Sequence, residues 1–194
     1  MADFITSLNY VLDNEDRPRQ YKTVPDAPGQ WRTDENGVPV VPKIWDGAQA
    51  ISGINSKAFP QQFAQINAIP QPQRGPAVEN FYRVQFWNQW LGQLELDDLA
   101  CRVMDSEVNQ GSGTGVKILQ TAINTFWSSV PPDPNVRIHS VAVDGKWGPW
   151  TVLAANQAGE PLVGVFKSSR VDFYKKIKAP SPATLAAWIA RAEK

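Results

Sequence analysis

Cysteine and histidine are almost missing from this chain: among 194 residues, Cys101 and His139 each stand alone. A single cysteine excludes an intramolecular disulfide, and with one histidine it falls short of the four ligands of a structural zinc site. An excess of charge is missing too, since 19 basic and 19 acidic residues cancel, so the overall balance favours neither a nucleic-acid partner nor an anionic membrane. No apolar run approaches the roughly 20 residues of a membrane span. The opening Met1-Ala2-Asp3 is acidic and passes quickly into a helical pattern, unlike a secretory signal, so synthesis in a cytoplasm without a signal peptide is expected. Internal repeats and low-complexity tracts are absent, and no heptad or exposed apolar stripe stands out. A monomer with no metal, no cofactor and no stable membrane association is therefore expected.

What is present suits one domain, or a main domain with an appendage, able to bury a core without staples. Phe4, Leu8, Val11 and Glu15 follow helical spacing and predict a helix over residues 3–14. From residue 17 to 49, Pro18, Pro25, Pro28, Pro39 and Pro42 rule out a long helix. There Gln30-Trp31-Arg32-Thr33 and Val38-Pro39-Val40-Val41 flank Asp34-Glu35-Asn36-Gly37, which reads as a turn between two short edge strands. Ser56 is expected to cap a short helix through Phe63, followed by a proline-punctuated connector over 69–76.

The second half is more strongly patterned. Val78, Phe81, Tyr82, Phe86 and Trp87 mark a helix stopping near Gly92, and Leu96, Leu99, Ala100, Val103, Met104 and Val108 form a stripe wide enough for a central buried helix. Asn109-Gln110-Gly111-Ser112-Gly113 ends it as a glycine-rich cap. Val116, Leu119, Gln120 and Ile123 carry another helix, Val143-Asp144-Gly145 is a turn, and Pro149 opens a helix at its first position. Helices over 162–177 and 182–192 complete a mainly α chain with a small β-hairpin lobe.

The residue that stands out chemically is Glu15, a carboxylate on the apolar face of the first helix. Desolvation and the negative helix end both favour its protonated form, which outlines a general acid. The pattern alone favours a plainer reading, a frayed helix end with Glu15 among the solvated acids of Asp13-Asn14-Glu15-Asp16. Other chemistries have less to stand on. His139 has no nucleophile-elbow pattern near it, and Cys101 lies in an apolar helix where a thiol is packed and inert. Gly111-Ser112-Gly113-Thr114-Gly115 lacks the Lys-Ser/Thr ending of a phosphate loop.

Several motifs resemble those of one family. Phe81-Tyr82-Arg83-Val84-Gln85-Phe86-Trp87 looks like its tyrosine-rich "YW" helix, and Val103-Met104-Asp105-Ser106-Glu107-Val108-Asn109-Gln110-Gly111 like its "VFDFAVNSG" segment. Thr114 to Ile123 is similar to its "AxxLQxAL" helix, and Val143-Asp144-Gly145-Lys146-Trp147-Gly148-Pro149-Trp150-Thr151 to its "DGxxGPxT" turn. Phe166, Arg170, Phe173 and Tyr174 match its "R..FY" helix. By this conjunction, which covers most of the chain after Asn80, the sequence resembles the secretion-activator and phage-endolysin N-acetylmuramidases, glycoside hydrolase family 108. The N-terminal half is less similar: Glu15 matches the acid of the family's "EGG", but Asp16-Arg17 replaces the glycines, and Ala50 stands at the threonine of the stretch ending in Gly53-Ile54. Asp26-Ala27-Pro28-Gly29 resembles the family's Asp/Pro/Gly turn.

The resemblance implies a lysozyme-like catalytic half with its β lobe over 1–92 and a helical half resembling a peptidoglycan-binding module over 93–194, packed as one globule. It implies a peptidoglycan hydrolase acting on the glycan strand in the periplasm or outside the cell, after release or dedicated export. The alternative is a catalytically impaired wall-binding or structural protein on the same fold. Glycoside cleavage needs an acid for the departing oxygen and a second carboxylate or an activated water. Glu15 is expected as the acid and Asp26 as the second carboxylate, with Asp46 and Glu107 as lesser candidates; Glu107 stands where the family has alanine. For Asp26 ordinary turn chemistry is the competing reading, and for Glu107 a solvated helix position. Asp105, Glu107 and Asn109, on the helix expected to line the cleft, are candidate substrate contacts. Trp31 and Trp45 are the candidate sugar-stacking rings, with Trp147 behind them and Trp87 reading as core.

Overall fold

Asp3 opens the first helix, α1 (Phe4–Glu15), by accepting from the Thr6 amide at 2.8 Å, which satisfies one of the donors a helix N-terminus leaves open. The structure, a computed structural model, describes residues 1–17, 19–26, 32–33, 39–40, 47–131, 134–177, 179 and 181–194, with backbone only at 32–33 and 39–40. The stripe Phe4, Leu8, Val11 and Leu12 is buried. The helix extends through Glu15 itself, and Asp16 closes it by donating its amide to Leu12 O at 2.8 Å.

Among the described residues five short strands follow: β1 (Thr23–Pro25), β2 (Arg32–Thr33), β3 (Pro39–Val40), β4 (Gln49–Ile51) and β5 (Ile54–Asn55). β2 and β3 pair antiparallel, Arg32 opposite Val40 and Thr33 opposite Pro39, as expected for the two proline-limited segments; the turn between them lies outside the described residues. A separate antiparallel sheet in the order β1-β4-β5 was not legible in the sequence, because strands of two or three residues carry no readable alternation. The β4-β5 connection is a two-residue turn, Ser52 (φ 48°) and Gly53 (φ 81°), with both central residues at positive φ as in a type I′ hairpin.

Helix α2 (Pro60–Asn67) begins later than expected: Phe59 is its N-cap and Pro60 its first residue. Ser56 is instead a sheet brace, its Oγ accepting from the Gln49 amide at 2.9 Å. Helix α3 (Gly75–Gln85) closes at Phe86, short of Gly92. Beyond it Asn88 Oδ1 accepts from the Trp90 and Leu91 amides at 2.9 and 3.1 Å, a local bond that competes with helix.

At the centre lies α4 (Asp97–Gln110), buried continuously from Leu99 to Glu107. The apolar stripe was legible; burial of its polar face, Arg102, Asp105, Ser106 and Glu107, was not. α1 packs on one side and α5 (Ser112–Ser129) on another. Only Gly111, at φ 88°, separates α4 from α5, so the expected glycine-rich cap is one hinge residue, and Gly113 and Gly115 belong to α5. A Cβ at Gly115 would come within 2.8 Å of Glu107 Cγ and of its backbone nitrogen, so glycine lets the two helices touch. Helices α6 (Pro149–Ala158), α7 (Pro161–Lys176) and α8 (Pro182–Glu193) complete the chain. One apolar cluster runs from Phe4 in α1 to Phe166 in α7, and a smaller one, Val171, Tyr174 and Ala192, fastens α8 to α7. The fold is thus mainly α with a small β lobe, and among the described residues no helix is long and apolar enough to cross a membrane.

Candidate functional site

An open cleft of about 520 Å³ lies between the end of α1, the β1-β4-β5 sheet and the end of α4. Glu15 and Asp26 both line it, together with Asp16, Arg17, Lys22, Ala50 and Asn109. The two carboxylates singled out in the sequence are therefore brought to one cavity.

Glu15 sits in the last turn of α1 with its side chain 18% exposed. Two neighbours fix it. On one side the hairpin turn presses close: a Cβ at Gly53 would lie 2.7 Å from Glu15 Oε2, so this position needs glycine for space as well as for its positive φ. On the other, Arg191 from the last turn of α8 places Nη2 2.5 Å from Glu15 Oε1. The sequence puts Glu15 on the buried stripe but offers no hint of this cation, which is 176 residues away.

Arg191 is itself held. Its Nε donates to Asp105 Oδ2 at 3.1 Å and its Nη2 to Asp105 Oδ1 at 2.7 Å. Asp105 is fully buried on α4, makes a second ion contact with Arg170 at 2.7 Å and accepts from Asn14 Nδ2 at 3.0 Å. Burial works against its charge, but the Arg191 and Arg170 guanidiniums outweigh it and hold the Asp105 carboxyl below the usual carboxylate range. Burial likewise opposes the charge on Arg191, and the Glu15 and Asp105 carboxylates overcome it, keeping the guanidinium protonated. Glu15, Arg191, Asp105 and Arg170 form a chain of alternating sign whose charges cancel, which is the condition for holding ions inside a protein.

Asp26 is half-buried just after β1, and Asn55 Nδ2 on β5 donates to its Oδ2 at 2.6 Å. Asn55 Oδ1 in turn accepts from the Lys57 and Ala58 backbone amides at 2.7 and 2.9 Å, which fixes the side-chain amide for that contact. Asp16, which replaces a glycine of the resembling motif, organises the loop beyond Glu15. It accepts from the Gln20 and Tyr21 amides and, at 2.5 Å, from the Ser52 hydroxyl. Tyr82 O–H donates to Ser52 O at 2.6 Å, so the hairpin turn is anchored from α3 as well. Arg74 ties the segment after α1 to the end of α2 with five bonds, to Tyr21 O and Thr23 Oγ1 on one side and to Ile69 O, Asn67 O and Asn67 Oδ1 on the other, using every N–H donor a guanidinium has.

The remaining sequence candidates divide. Asn109 lines the cleft, and its Oδ1 accepts from the Tyr174 hydroxyl. Asp105 does not line it; it stands behind Arg191. Glu107 is 1% exposed and is neither solvated nor on the cleft wall. It points to the α5 side, where Gly115 packs on it and Trp147 Nε1 donates to Oε1 at 2.9 Å. Trp147 is thus committed to Glu107, at the edge of a second cavity of about 500 Å³ that includes Gln120, Lys146 and Trp150. Trp87 is half-buried, edge-on to Phe4. Trp31, Trp45 and Asp46 lie outside the described residues. Among those described, the one aromatic ring on the cleft is Phe59, which packs edge-on against Phe81 and Phe86. Gly53 and Ser52 were visible in the sequence only as part of a motif, and Arg191 only as a basic residue near a helix end.

In comparisons with known proteins, no family model, no curated protein and no solved structure matches the chain.

Proposed function

We propose that this chain is a peptidoglycan hydrolase, an N-acetylmuramidase of lysozyme-like type, with Glu15 as general acid. The observation that carries the reading is that Glu15 and Asp26 line one open cleft, each steadied by neighbours, as cleavage by a carboxylate pair requires. Protonated Glu15 gives its proton to the glycosidic oxygen as the bond from that oxygen to the anomeric carbon breaks. Asp26 supplies the second carboxylate, for the positive charge that develops on the sugar or for the water that replaces the leaving group. The glycan strand of peptidoglycan, rather than another polysaccharide, is inferred from the family resemblance. No cofactor enters the chemistry.

Turbidity clearing of purified cell walls tests this. The parent is expected to clear them, and Glu15→Gln to lose at least about 100-fold, within the range of about 10²–10⁴ for general acid catalysis. A wall-binding protein without turnover is the second reading, favoured by the Glu15–Arg191 ion pair and by Ala50 at the motif's threonine position. Walls bound but never cleared by the parent, across several wall chemotypes, would establish that reading instead.

A further inference from the structure

Helix α8 packs on α7 through Ala192, which meets Val171 and Tyr174, and from its last turn Arg191 reaches the carboxylate on the cleft wall. One guanidinium bridges two carboxylates of different character. Asp105 is fully buried and holds Arg191 with two hydrogen bonds, while Glu15 is partly open to the cleft and takes a contact from Nη2. The buried partner is the anchor and Glu15 the group being aimed, because Asp105 has a second guanidinium, Arg170, on its far side, whereas among the described residues Arg191 is the one cation paired with Glu15, whose other side meets Gly53.

Resting on the hydrolase reading above, we propose that Arg191, set in place by Asp105, is the positioning residue of the acid: it orients the Glu15 carboxyl and stabilises the negative charge left on it when its proton departs. The balance is simple. The O–H bond of Glu15 breaks, an O–H bond forms on the leaving sugar oxygen, and the new carboxylate faces a cation already in contact, so no reorganisation is needed at the moment of transfer. Arg191 keeps its own protons throughout. The charged and titratable groups around Glu15 are Arg191 on α8, which contacts it, Asp105 on α4 behind that guanidinium, Asp16, Arg17 and Lys22 on the same cleft, and the Tyr82 hydroxyl on α3.

The test measures kcat, KM and the pH profile of kcat on soluble, uncrosslinked glycan strands for the parent, Arg191→Gln, Arg191→Lys and Asp105→Asn, with circular dichroism melts to establish that each variant is folded. A general acid works while protonated, so its rate falls on the alkaline limb. Taking a positive charge away from it moves that limb to higher pH, and taking a negative one away moves it lower. Arg191→Gln is expected to lose about 10²-fold in kcat, the scale of a misplaced catalytic group, with little change in KM and the limb displaced upward. Arg191→Lys, which keeps the charge without the planar fork, recovers part of both. Asp105→Asn displaces the limb in the opposite direction, and with Arg191→Lys it decides the matter if Arg191→Gln does not fold. An unchanged kcat in Arg191→Gln, or limbs that stay at the parental pH in the folded variants, overturns the proposal while the parent's activity keeps the hydrolase reading standing. A parent that never cleaves the strands overturns both.

Discussion

Burial pushes the Glu107 carboxyl up to about 8, because desolvation outweighs the single hydrogen bond from the Trp147 indole. Its Oε2 has no hydrogen-bond partner among the described residues. In the unfolded chain the same group has a value near 4.5, so between these limits the folded state binds more protons than the unfolded one, and stability falls as pH rises. The loss amounts to about 1.4 kcal/mol for each pH unit across the window. Thermal melts of the parent are expected to drop between pH 5 and pH 8, and those of Glu107→Gln to drop less; parallel curves would show that Glu107 is not the group responsible. Asp105 works in the reverse sense. Its carboxyl is held low in the fold, so its contribution is present above the unfolded carboxylate range and is lost as pH falls through the folded value.

At the scale of elements, the β4-β5 hairpin and α1 act as a pair. Ser52 and Gly53 form a two-residue turn, Ser52 ties to Asp16 through its hydroxyl and to Tyr82 through its carbonyl, and Gly53 faces Glu15. Alanine at Gly53 would need a positive φ, at a cost of roughly 1–2 kcal/mol, and would drive its Cβ into Glu15. Gly53→Ala is therefore expected to lower stability by about that amount in urea unfolding and, on the hydrolase reading proposed above, to lower hydrolysis more than the stability loss accounts for, through displacement of Glu15. A variant with normal turnover and reduced stability would separate the turn from the chemistry. The α4-α5 junction follows the same logic, with Gly115 giving the space that Glu107 occupies.

For the molecule as a whole, the chain of charges Glu15, Arg191, Asp105 and Arg170 links α1, α4, α7 and α8 across the interior. Asp105 is its hinge, since removing it leaves two guanidiniums short of a partner at once. Breaking a buried pair from one side costs about 3–5 kcal/mol, because the remaining charge stays buried. Asp105→Ala is expected to lose about that much in chemical denaturation and to loosen α8, seen as faster amide exchange over Pro182–Glu193. A loss below about 1 kcal/mol, the range of exposed pairs, would mean that the network is not a structural tie. Asp105→Asn, which keeps hydrogen-bonding capacity, is the milder change.

The amino-acid sequence by itself determined the helices and the residue to watch. Spacing of 3.6, the proline at the first position of α6 and the glycine at 111 are local signals, set by backbone geometry and by which residues avoid water. The same spacing aligned Glu15 with the apolar stripe of α1, although it was the family motifs that set this above a frayed, solvated helix end, and the segments flanking residues 34–37 paired as expected. Tertiary structure alone decided what surrounds that carboxylate: Arg191 arriving from the far end of the chain, Gly53 from a hairpin too short to read, and Asp26 across the cleft. It also turned Glu107 away from the cleft and hid Asp105 behind Arg191, although both lie on the helix that reaches it. A helical pattern says which face is apolar, whereas the partner of a buried charge depends on which faces meet, and that is settled only when distant segments pack.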